Sequence, residues 1–297
     1  AMPNYPIMGA FHYFIHFTHT IWGRAILFIS GSSQMSRVLQ NTREASLDID
    51  IAGHRHRNPQ DPNPLPCRGL FTTTMDAKTV LKAVGIGRKV DGRWLLNDIS
   101  LSIDAGQRLA LVGPSGSGKT LILRALSMLD PIDTGEIHWR GSPVPGNRVP
   151  EFRARVMFLP QQPMLPEGTV EEILRQPFSL KVHGRKQFHR PGTLALLASL
   201  GQSDAFLSKQ RADLSGGQIQ LTALLRAIQL DPEVLLLDEP TAALDPETAE
   251  MVESVVATWL ERQPNEGRAT VWVTHDREQV RRVSTSMIHI RDGKLWE

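Results

Sequence analysis

A glycine-rich segment in the first half of the chain has the composition of a phosphate-binding loop. It fits the spacing G-x-x-x-x-G-K-[ST] and reads Gly113, Pro114, Ser115, Gly116, Ser117, Gly118, Lys119, Thr120. Glycines let successive backbone N–H groups converge on an anion without obstruction by a Cβ atom. The Lys119 ammonium is able to reach the outer phosphates of a nucleotide, and the Thr120 hydroxyl is placed to ligate Mg²⁺. The alternative for this pattern is a Gly/Ser-rich turn that caps a helix.

Two adjacent carboxylates form a second candidate site. Asp238 and Glu239 follow the apolar run Leu235–Leu237, and ligands of open α/β sheets bind at the carboxyl ends of strands. Asp238 suits the coordination shell of Mg²⁺, and Glu239 is a candidate general base for an attacking water. Acidic residues also begin ordinary loops, so the pair gains its meaning from the phosphate-binding loop in the same chain.

Strand-like and helical segments alternate from about Thr79 onwards and must position these residues. The apolar runs Leu109–Val112, Val234–Leu237 and Thr270–Val273 read as buried strands, and the period of Lys119–Leu129 predicts a helix. Residues 169–214 are mostly helical in pattern. This alternation predicts an α/β domain with a largely parallel sheet.

A third motif makes the assignment specific. The segment Leu214–Gln218 reads LSGGQ, which alone could be a serine-capped helix N-terminus with a flexible glycine pair. The order of phosphate-binding loop, isolated glutamine, LSGGQ, LLLDEP, ALD and histidine resembles the ABC ATPase family over residues 79–297. That resemblance implies a P-loop NTPase core with a mostly parallel sheet, a small antiparallel β subdomain and an inserted helical subdomain at about 165–213. The whole domain is expected at 75–297, with ATP and Mg²⁺ as cofactors.

The resemblance also implies roles for residues beyond the phosphate-binding loop. Gln161 matches the glutamine that senses Mg²⁺ and the attacking water, in a loop that links hydrolysis to the membrane partner. His275 matches the switch histidine that touches the γ-phosphate. Together with Glu239, these two residues are the expected catalytic set.

A composite site between two copies of the chain is implied as well. Ser215 and Gly217, with Gln218 beside them, match the signature residues that contact nucleotide bound to the opposite subunit. Asp245 matches the loop that crosses the dimer interface. Because helix N-termini favour anions, the signature helix would clamp phosphate, and two copies facing head to tail would enclose two ATP molecules.

The sequence departs from the family pattern around the nucleotide. Leu121 stands where a second hydroxyl is usual, which predicts somewhat weaker nucleotide binding. No aromatic residue for stacking on adenine occurs in Val84–Lys89. Arg88 and Trp94 are the candidates to replace it.

Residues 1–74 differ in character from the rest of the chain. We expect them to be a disordered or non-native extension before Met75, although an acid-poor stretch with Arg and Ser also occurs in organelle targeting peptides. The apolar segment Phe11–Ser30 contains Arg24 and three histidines. It therefore makes a poor membrane span.

Charge and cysteine content limit the classes of function. The net charge is +2, and the chain beyond residue 74 carries 27 basic and 27 acidic residues. This balance gives no basic face for nucleic acid. The single Cys67 excludes an internal disulfide framework and fits a reducing compartment. We expect a peripheral protein on the cytoplasmic face of the plasma membrane.

The motifs together predict the ATPase subunit of a transporter whose membrane channel is a separate polypeptide. The core looks most like the small subunit of two-component iron-efflux or metal-resistance systems, and phosphate and amino-acid import subunits are nearly as similar. A soluble ABC ATPase of translation would normally carry two nucleotide domains, and one of DNA repair would need a long coiled-coil insertion. The intact Lys119, Asp238 and Glu239 argue against a nonhydrolysing regulatory subunit.

Overall fold

The computed structural model describes residues 79–262 and 267–296. These residues belong to one unit of the chain, Gly69–Glu297. The expected extension at 1–74, its apolar segment Phe11–Ser30 and the proposed start at Met75 lie outside the described residues. In the part that is described, no helix has both the length and the apolar character needed to cross a membrane.

Strands and helices alternate along the described residues. The strands are β1 (Thr79–Val90), β2 (Arg93–Asp104), β3 (Arg108–Val112), β4 (Thr134–Trp139), β5 (Ser142–Pro143), β6 (Val156–Leu159), β7 (Val234–Asp238), β8 (Ala269–Val273), β9 (Ser286–Arg291) and β10 (Lys294–Trp296). The α-helices are α1 (Lys119–Leu126), α2 (Val149–Arg153), α3 (Val170–Arg175), α4 (Arg190–Ser199), α5 (Gly216–Ile228), α6 (Pro246–Glu261) and α7 (Arg277–Val283). Short 3₁₀ helices occupy Gly146–Arg148, Gln176–Ser179, Lys181–His183, Asp204–Ser208 and Arg211–Asp213.

Six strands form the central sheet in the order β10-β9-β3-β8-β7-β6. Five of them run parallel, and β10 pairs antiparallel with β9. Strands β7 and β8 are buried along their whole length, as expected for parallel strands that are covered on both faces. Because β3, β7 and β8 end at the same edge, the loops that begin with Gly113, Glu239 and Thr274 lie side by side.

Four strands form a smaller antiparallel sheet in the order β2-β1-β4-β5. The buried Trp139 at the end of β4 donates its indole N–H to Glu233, just before β7, at 3.0 Å. Its ring also meets the Phe152 ring of α2 edge to face, with 6.0 Å between centroids. The predicted α/β fold with a mostly parallel sheet and a small antiparallel subdomain is confirmed.

The chain between β6 and α5 is helical, as predicted. It contains α3, α4 and four of the 3₁₀ helices. Apolar side chains of this segment, such as Val170, Ile173 and Leu197, pack in one cluster with Leu221 and Leu224 of α5. The boundaries of the helical subdomain at about 165–213 stay a prediction.

The first helix is shorter than its sequence period predicts. It was expected over Lys119–Leu129, whereas α1 ends at Leu126. The Arg124 guanidinium donates to both carboxylate oxygens of Asp130, each at 2.7 Å, and the chain turns through Met128 at a φ of 54°. This ion pair folds the end of the segment back onto the helix, which periodicity cannot reveal.

Candidate active site

The phosphate-binding loop connects β3 to α1 at the carboxyl edge of the central sheet. Gly116 and Gly118 have φ angles of 75° and 106°, a left-handed backbone that glycine adopts without steric cost. A Cβ atom on Gly113 would lie 2.2 Å from the backbone oxygen of Ile290. The Ser117 hydroxyl is buried and has no hydrogen-bond partner among the described residues. The loop thus has the shape and the free donors that an anion cradle requires.

Lys119 is folded over its own loop. Its side chain is buried, and the ammonium donates to the backbone oxygens of Gly113 and Pro114 at 2.9 and 2.8 Å. Burial lowers the pKa of Lys119, while the negative charges of Glu239 and Asp238 oppose that shift. The ammonium is therefore held among acceptors that phosphate oxygens are able to replace.

Thr120 and Asp238 lie in contact beside the loop. The Thr120 hydroxyl donates to a carboxylate oxygen of Asp238 at 2.8 Å. Asp238 ends the buried strand β7, and this burial raises the pKa of its carboxyl group. One hydroxyl and one carboxylate are the kind of protein ligands that Mg²⁺ takes beside phosphate and water. The pair fits the predicted metal site.

The three predicted catalytic side chains meet at Glu239. The Gln161 amide donates to Oε2 of Glu239 at 2.7 Å, and Nε2 of His275 lies 2.6 Å from Oε1. Gln161 comes from the loop after β6, and His275 from the loop after β8. Both contacts end on Glu239, so Gln161 stands beside the candidate base, and its predicted part in the Mg²⁺ site with Thr120 and Asp238 stays a prediction. Three loops at one sheet edge thus converge on one carboxylate.

Ser215 and Gln218 form a reciprocal cap at the start of α5. The backbone N–H of Gln218 donates to the Ser215 hydroxyl at 3.2 Å. The backbone N–H of Ser215 donates to the side-chain oxygen of Gln218 at 3.3 Å. A Cβ atom on Gly217 would lie 3.0 Å from the Leu244 side chain and 3.1 Å from the backbone oxygen of Ala243. Sequence order alone does not show this approach of the loop after β7 to the signature helix.

Asp245 begins α6 as its N-cap. One carboxylate oxygen accepts from the Thr248 N–H at 3.0 Å and the other from the Thr248 hydroxyl at 2.7 Å. The hydrogen bond from the Thr248 backbone lowers the pKa of Asp245. In the described residues, no hydrogen bond or ion pair joins Ser215, Gly217 or Asp245 to the phosphate-binding loop. The predicted site residues therefore form two separate groups in one copy of the chain.

The two candidates for adenine stacking differ in their surroundings. Arg88 is engaged by Asp133, with 3.2 Å between Nη1 and the carboxylate. Trp94 is 40% exposed and has the Lys89 ammonium 5.5 Å from its ring centroid. Trp94 directly precedes Leu95 and Leu96, which lie next to Gly118. Trp94 is thus the candidate with an available ring close to the phosphate-binding loop.

Sequence reasoning missed a groove of about 310 Å³ beside the Gln161 loop. Three exposed apolar side chains line it, Leu129, Met164 and Leu180. Its charged and ionisable lining residues are basic: Arg153, His183 and Arg226. In the sequence, the segment Pro163–Pro166, in which two apolar residues lie between prolines, could have indicated this groove.

The chain is similar to known proteins of one family. The sequence pattern described as ABC transporter matches residues 96–242. ABC transporter I family member 17 of Arabidopsis thaliana is 36% identical over 208 residues, which cover 70% of this chain and 76% of that protein. Phosphate import ATP-binding protein PstB 2 of Natronomonas pharaonis is 32% identical over 74% of this chain and 80% of its own length.

A solved structure agrees with the fold. The ATP-binding cassette MJ0796, determined as a dimer in a post-hydrolysis state with ADP and Pi, superposes with a TM-score of 0.64. The match has 27% sequence identity and covers 73% of this chain and 97% of that one.

Proposed function

This chain belongs to the ABC transporter family, and from that premise we propose that it hydrolyses ATP between two copies of itself to drive a separate membrane protein. As a member of the family it binds nucleotide and is an ATPase subunit of a transporter. We assign the nucleotide-binding domain to residues 75–297, with the helical subdomain at about 165–213. The observation that carries the proposal is the convergence of Gln161 and His275 on Glu239.

The proposed reaction is the attack of water on the γ-phosphorus of ATP. Glu239 accepts a proton from the water, whose oxygen bonds to phosphorus while the bond to the bridging oxygen of ADP breaks. Lys119 and the N–H groups of residues 113–120 stabilise the phosphate charge. Mg²⁺, held by Thr120 and Asp238, would neutralise charge on the β- and γ-phosphates.

Gln161 and His275 prepare this step from either side of the base. Gln161 donates a hydrogen bond to one oxygen of Glu239, and the His275 imidazole lies 2.6 Å from the other, so a phosphate that attracts the imidazole would release that second oxygen of the carboxylate. That oxygen then accepts from water, and the Gln161 amide keeps the other oxygen in place. Geometry of this kind couples arrival of the γ-phosphate to activation of the base.

The second half of each site is proposed to come from another copy of the chain. Ser215 caps α5, and Gly217 and Gln218 lie in its first turn, where the helix N-terminus favours an anion. Among the described residues, they make no hydrogen bond or ion pair with the phosphate-binding loop of their own copy. Gly217 lies against the Ala243–Leu244 segment, which leads directly to Asp245. The dimeric state of the solved relative bound to ADP and Pi supports this arrangement.

We propose the groove beside the Gln161 loop as the docking site for the membrane protein. Leu129, Met164 and Leu180 offer apolar surface, and the groove has no acidic lining residue. The Arg226 Nε atom is buried and has no hydrogen-bond partner in the described part of the chain, so the fitting segment is an apolar helix that carries a carboxylate. Pro160 lines the groove and is next to Gln161. A residue of the docking groove thus directly precedes the glutamine that donates to the candidate base Glu239, and we place this contact on the cytoplasmic face of the membrane.

Glu239→Gln tests the proposed function. Sandwich formation needs ATP, but its release needs the base, so we expect the variant to lose at least 99% of ATPase activity, or about 10² in rate. It should form a stable dimer with ATP and Mg²⁺ in light scattering after size-exclusion chromatography. Glu247→Gln, an exposed carboxylate in the first turn of α6, is the matched control. Hydrolysis by Glu239→Gln at the rate of the parent would show that the base is assigned wrongly.

A further inference from the structure

The turn between β9 and β10 lies against the outer side of the phosphate-binding loop. The Gly293 N–H donates to the backbone oxygen of Ser117 at 3.0 Å. The backbone oxygen of Gly293 in turn accepts from the N–H of Asn97 in β2 at 2.9 Å. One residue therefore joins the loop to the antiparallel sheet.

Gly293 has no room for a side chain. Its φ is 70°, and a Cβ atom would lie 2.2 Å from the backbone oxygen of Leu95. At the start of the loop, Gly113 meets the same hairpin, because its Cβ would lie 2.2 Å from the backbone oxygen of Ile290. The loop and the hairpin thus pack backbone against backbone at two points.

The contact with Gly293 fixes the direction of one peptide unit within the loop. The Ser117 carbonyl and the Gly118 N–H belong to the same planar trans peptide and point in opposite directions. Since Gly293 holds that carbonyl on the outer side, the Gly118 N–H points to the inner side. In the part of the chain that is described, this N–H donates no backbone hydrogen bond. It remains available for an anion.

We propose that Gly293 is a positioning residue for nucleotide binding, which holds the Gly118 N–H toward the phosphate through the Ser117–Gly118 peptide. The inference rests on the proposed function of the loop as the ATP site. It gives the C-terminal hairpin a part in the reaction, although no residue of that hairpin belongs to the predicted site. It also makes β2, which carries Trp94, and the loop one rigid unit around the nucleotide.

Gly293→Ala tests the proposal by comparison with Gly141→Ala in the full chain. Gly141 has a φ of 80°, and nothing lies within 4 Å of its Cβ position, so the control reproduces the backbone strain without the displacement. We expect Gly293→Ala to weaken ADP binding about tenfold in calorimetry, which is the loss of one charge-assisted hydrogen bond. The KM for ATP should rise by a similar factor, with a smaller change in kcat. Gly141→Ala should bind ADP as the parent does.

Hydrogen exchange of the parent chain supplies a second measurement that needs no variant. ADP should slow exchange of the Gly293 amide, because a bound phosphate steadies the peptide that accepts from it, and should leave the Gly141 amide unchanged. The proposal would be overturned if Gly293→Ala bound ADP as tightly as the parent, or if Gly141→Ala lost as much ADP affinity as Gly293→Ala. It would also be overturned if ADP did not change the exchange rate of the Gly293 amide. A parent that binds no ADP would instead contradict the proposed function itself.

Discussion

Glu239 has a strained backbone, and its carboxylate contacts both Gln161 and His275. Its φ is 46°, in the left-handed region that costs most residues roughly 1–2 kcal/mol. Its N–H donates to the backbone oxygen of Val273 at 3.0 Å, which links the end of β7 to β8, two residues before His275. The strain thus brings the candidate base to the loop that carries its histidine partner, a common arrangement at functional sites.

We expect the strain at Glu239 to appear as a difference between two inactive variants. Glu239→Ala and Glu239→Gly both lose the contacts to Gln161 and His275, so the difference between them reports the backbone. Glycine accepts the positive φ, and Glu239→Gly should exceed Glu239→Ala in unfolding free energy by about 0.5–1 kcal/mol in urea titrations. An alanine variant that is the more stable of the two would mean that the backbone relaxes there without cost.

Residue types and spacing were sufficient to predict most of the candidate site. Lys119, Asp238 and Glu239 could be found because the chemistry of phosphate and Mg²⁺ restricts which side chains follow a buried strand. Ser215 and Asp245 are the N-caps of α5 and α6. The preference of serine and aspartate for this position could also be recognised in the sequence. The contact of Lys119 with its own loop and the approach of Gly217 to Leu244 depend on the path of the chain between elements, which no pattern encodes.

At the scale of elements, helix α7 is held to α6 and to the loop after β7 by a partly buried polar cluster. The Gln279 amide donates to the Thr241 hydroxyl and to Glu253, each at 2.9 Å. The Arg282 guanidinium donates to both oxygens of Glu253 at 2.8 and 2.9 Å. Since α7 directly follows the loop with His275, this cluster sets the position of the histidine relative to the loop after Glu239.

The cluster should make stability fall in acid. Burial works to raise the pKa of Glu253, but the hydrogen bonds from Arg282 and Gln279 outweigh it and hold the pKa below the ordinary 4.5. A lowered pKa contributes stability that is present above that ordinary value and is lost as the pH falls through the folded-state pKa. From about pH 5 to about pH 3, the Tm of the parent should therefore fall more steeply than that of Glu253→Gln.

Glu278→Gln is the control for this pH dependence. Glu278 lies in α7, the helix that carries Gln279 and Arg282, and pairs with Arg281 at 2.7 Å, but both side chains are mostly exposed. Its removal should leave the slope of Tm against pH close to that of the parent. Parallel slopes for the parent and Glu253→Gln would contradict the assignment of the acid-sensitive group to Glu253.

A buried carboxylate helps to tie the antiparallel sheet to the central sheet. Glu233 is buried and accepts from the Trp139 indole and from Arg140 Nε, each at 3.0 Å. Arg140 and Arg148 also stand over the Trp139 ring, 5.0 and 5.3 Å from its centroid. Because Glu233 immediately precedes β7, this contact fixes β4 against the strand that ends in Asp238.

Glu233→Ala should lower the unfolding free energy by about 1–3 kcal/mol, since it leaves the buried Trp139 indole N–H without an acceptor. Glu151→Ala removes a carboxylate paired with Arg148 on the surface and should change it by less than about 1 kcal/mol. Urea unfolding of both variants against the parent gives the comparison. Equal losses in the two variants would show that Glu233 does not carry the contact between the sheets.

Helices and strands were predictable where burial determines the pattern of apolar residues. They were less predictable where a single contact determines where an element ends. The runs that became β7 and β8 are mostly apolar because both faces of a parallel sheet are covered. The early end of α1 depends on the Arg124–Asp130 pair. The part of the β9–β10 turn in shaping the loop depends on a contact between segments that are far apart in sequence. Such contacts have no local signature.

At the scale of the whole molecule, the described residues of one copy hold two proposed half-sites that share no hydrogen bond or ion pair. Lys119, Thr120, Asp238 and Glu239 form the first, and the cap of Ser215 forms the second at the start of α5. A twofold dimer is self-complementary. Two copies would therefore bring the first half-site of each copy against the second half-site of the other. The geometry of a single copy is then incomplete by construction, and variants in the two half-sites should complement each other.

Mixing Lys119→Ala with Ser215→Arg tests this complementation. Each variant alone should lack ATPase activity, since every site in its dimer has one damaged half. A mixed dimer pairs the loop of the Ser215→Arg copy with the signature of the Lys119→Ala copy and so regains one intact site. With random pairing and independent sites, an equal mixture should recover about a quarter of the parent's activity in phosphate-release assays.

The mixture also separates a shared site from one built within a single copy. If Ser215 acted on nucleotide bound to its own chain, each mixed dimer would contain one site without its lysine and one without its serine, and no activity would return. Binding of ADP by Ser215→Arg alone, measured beforehand, verifies that its loop is intact. An inactive mixture of two folded variants, in the presence of the membrane partner, would therefore require both half-sites to meet within one chain.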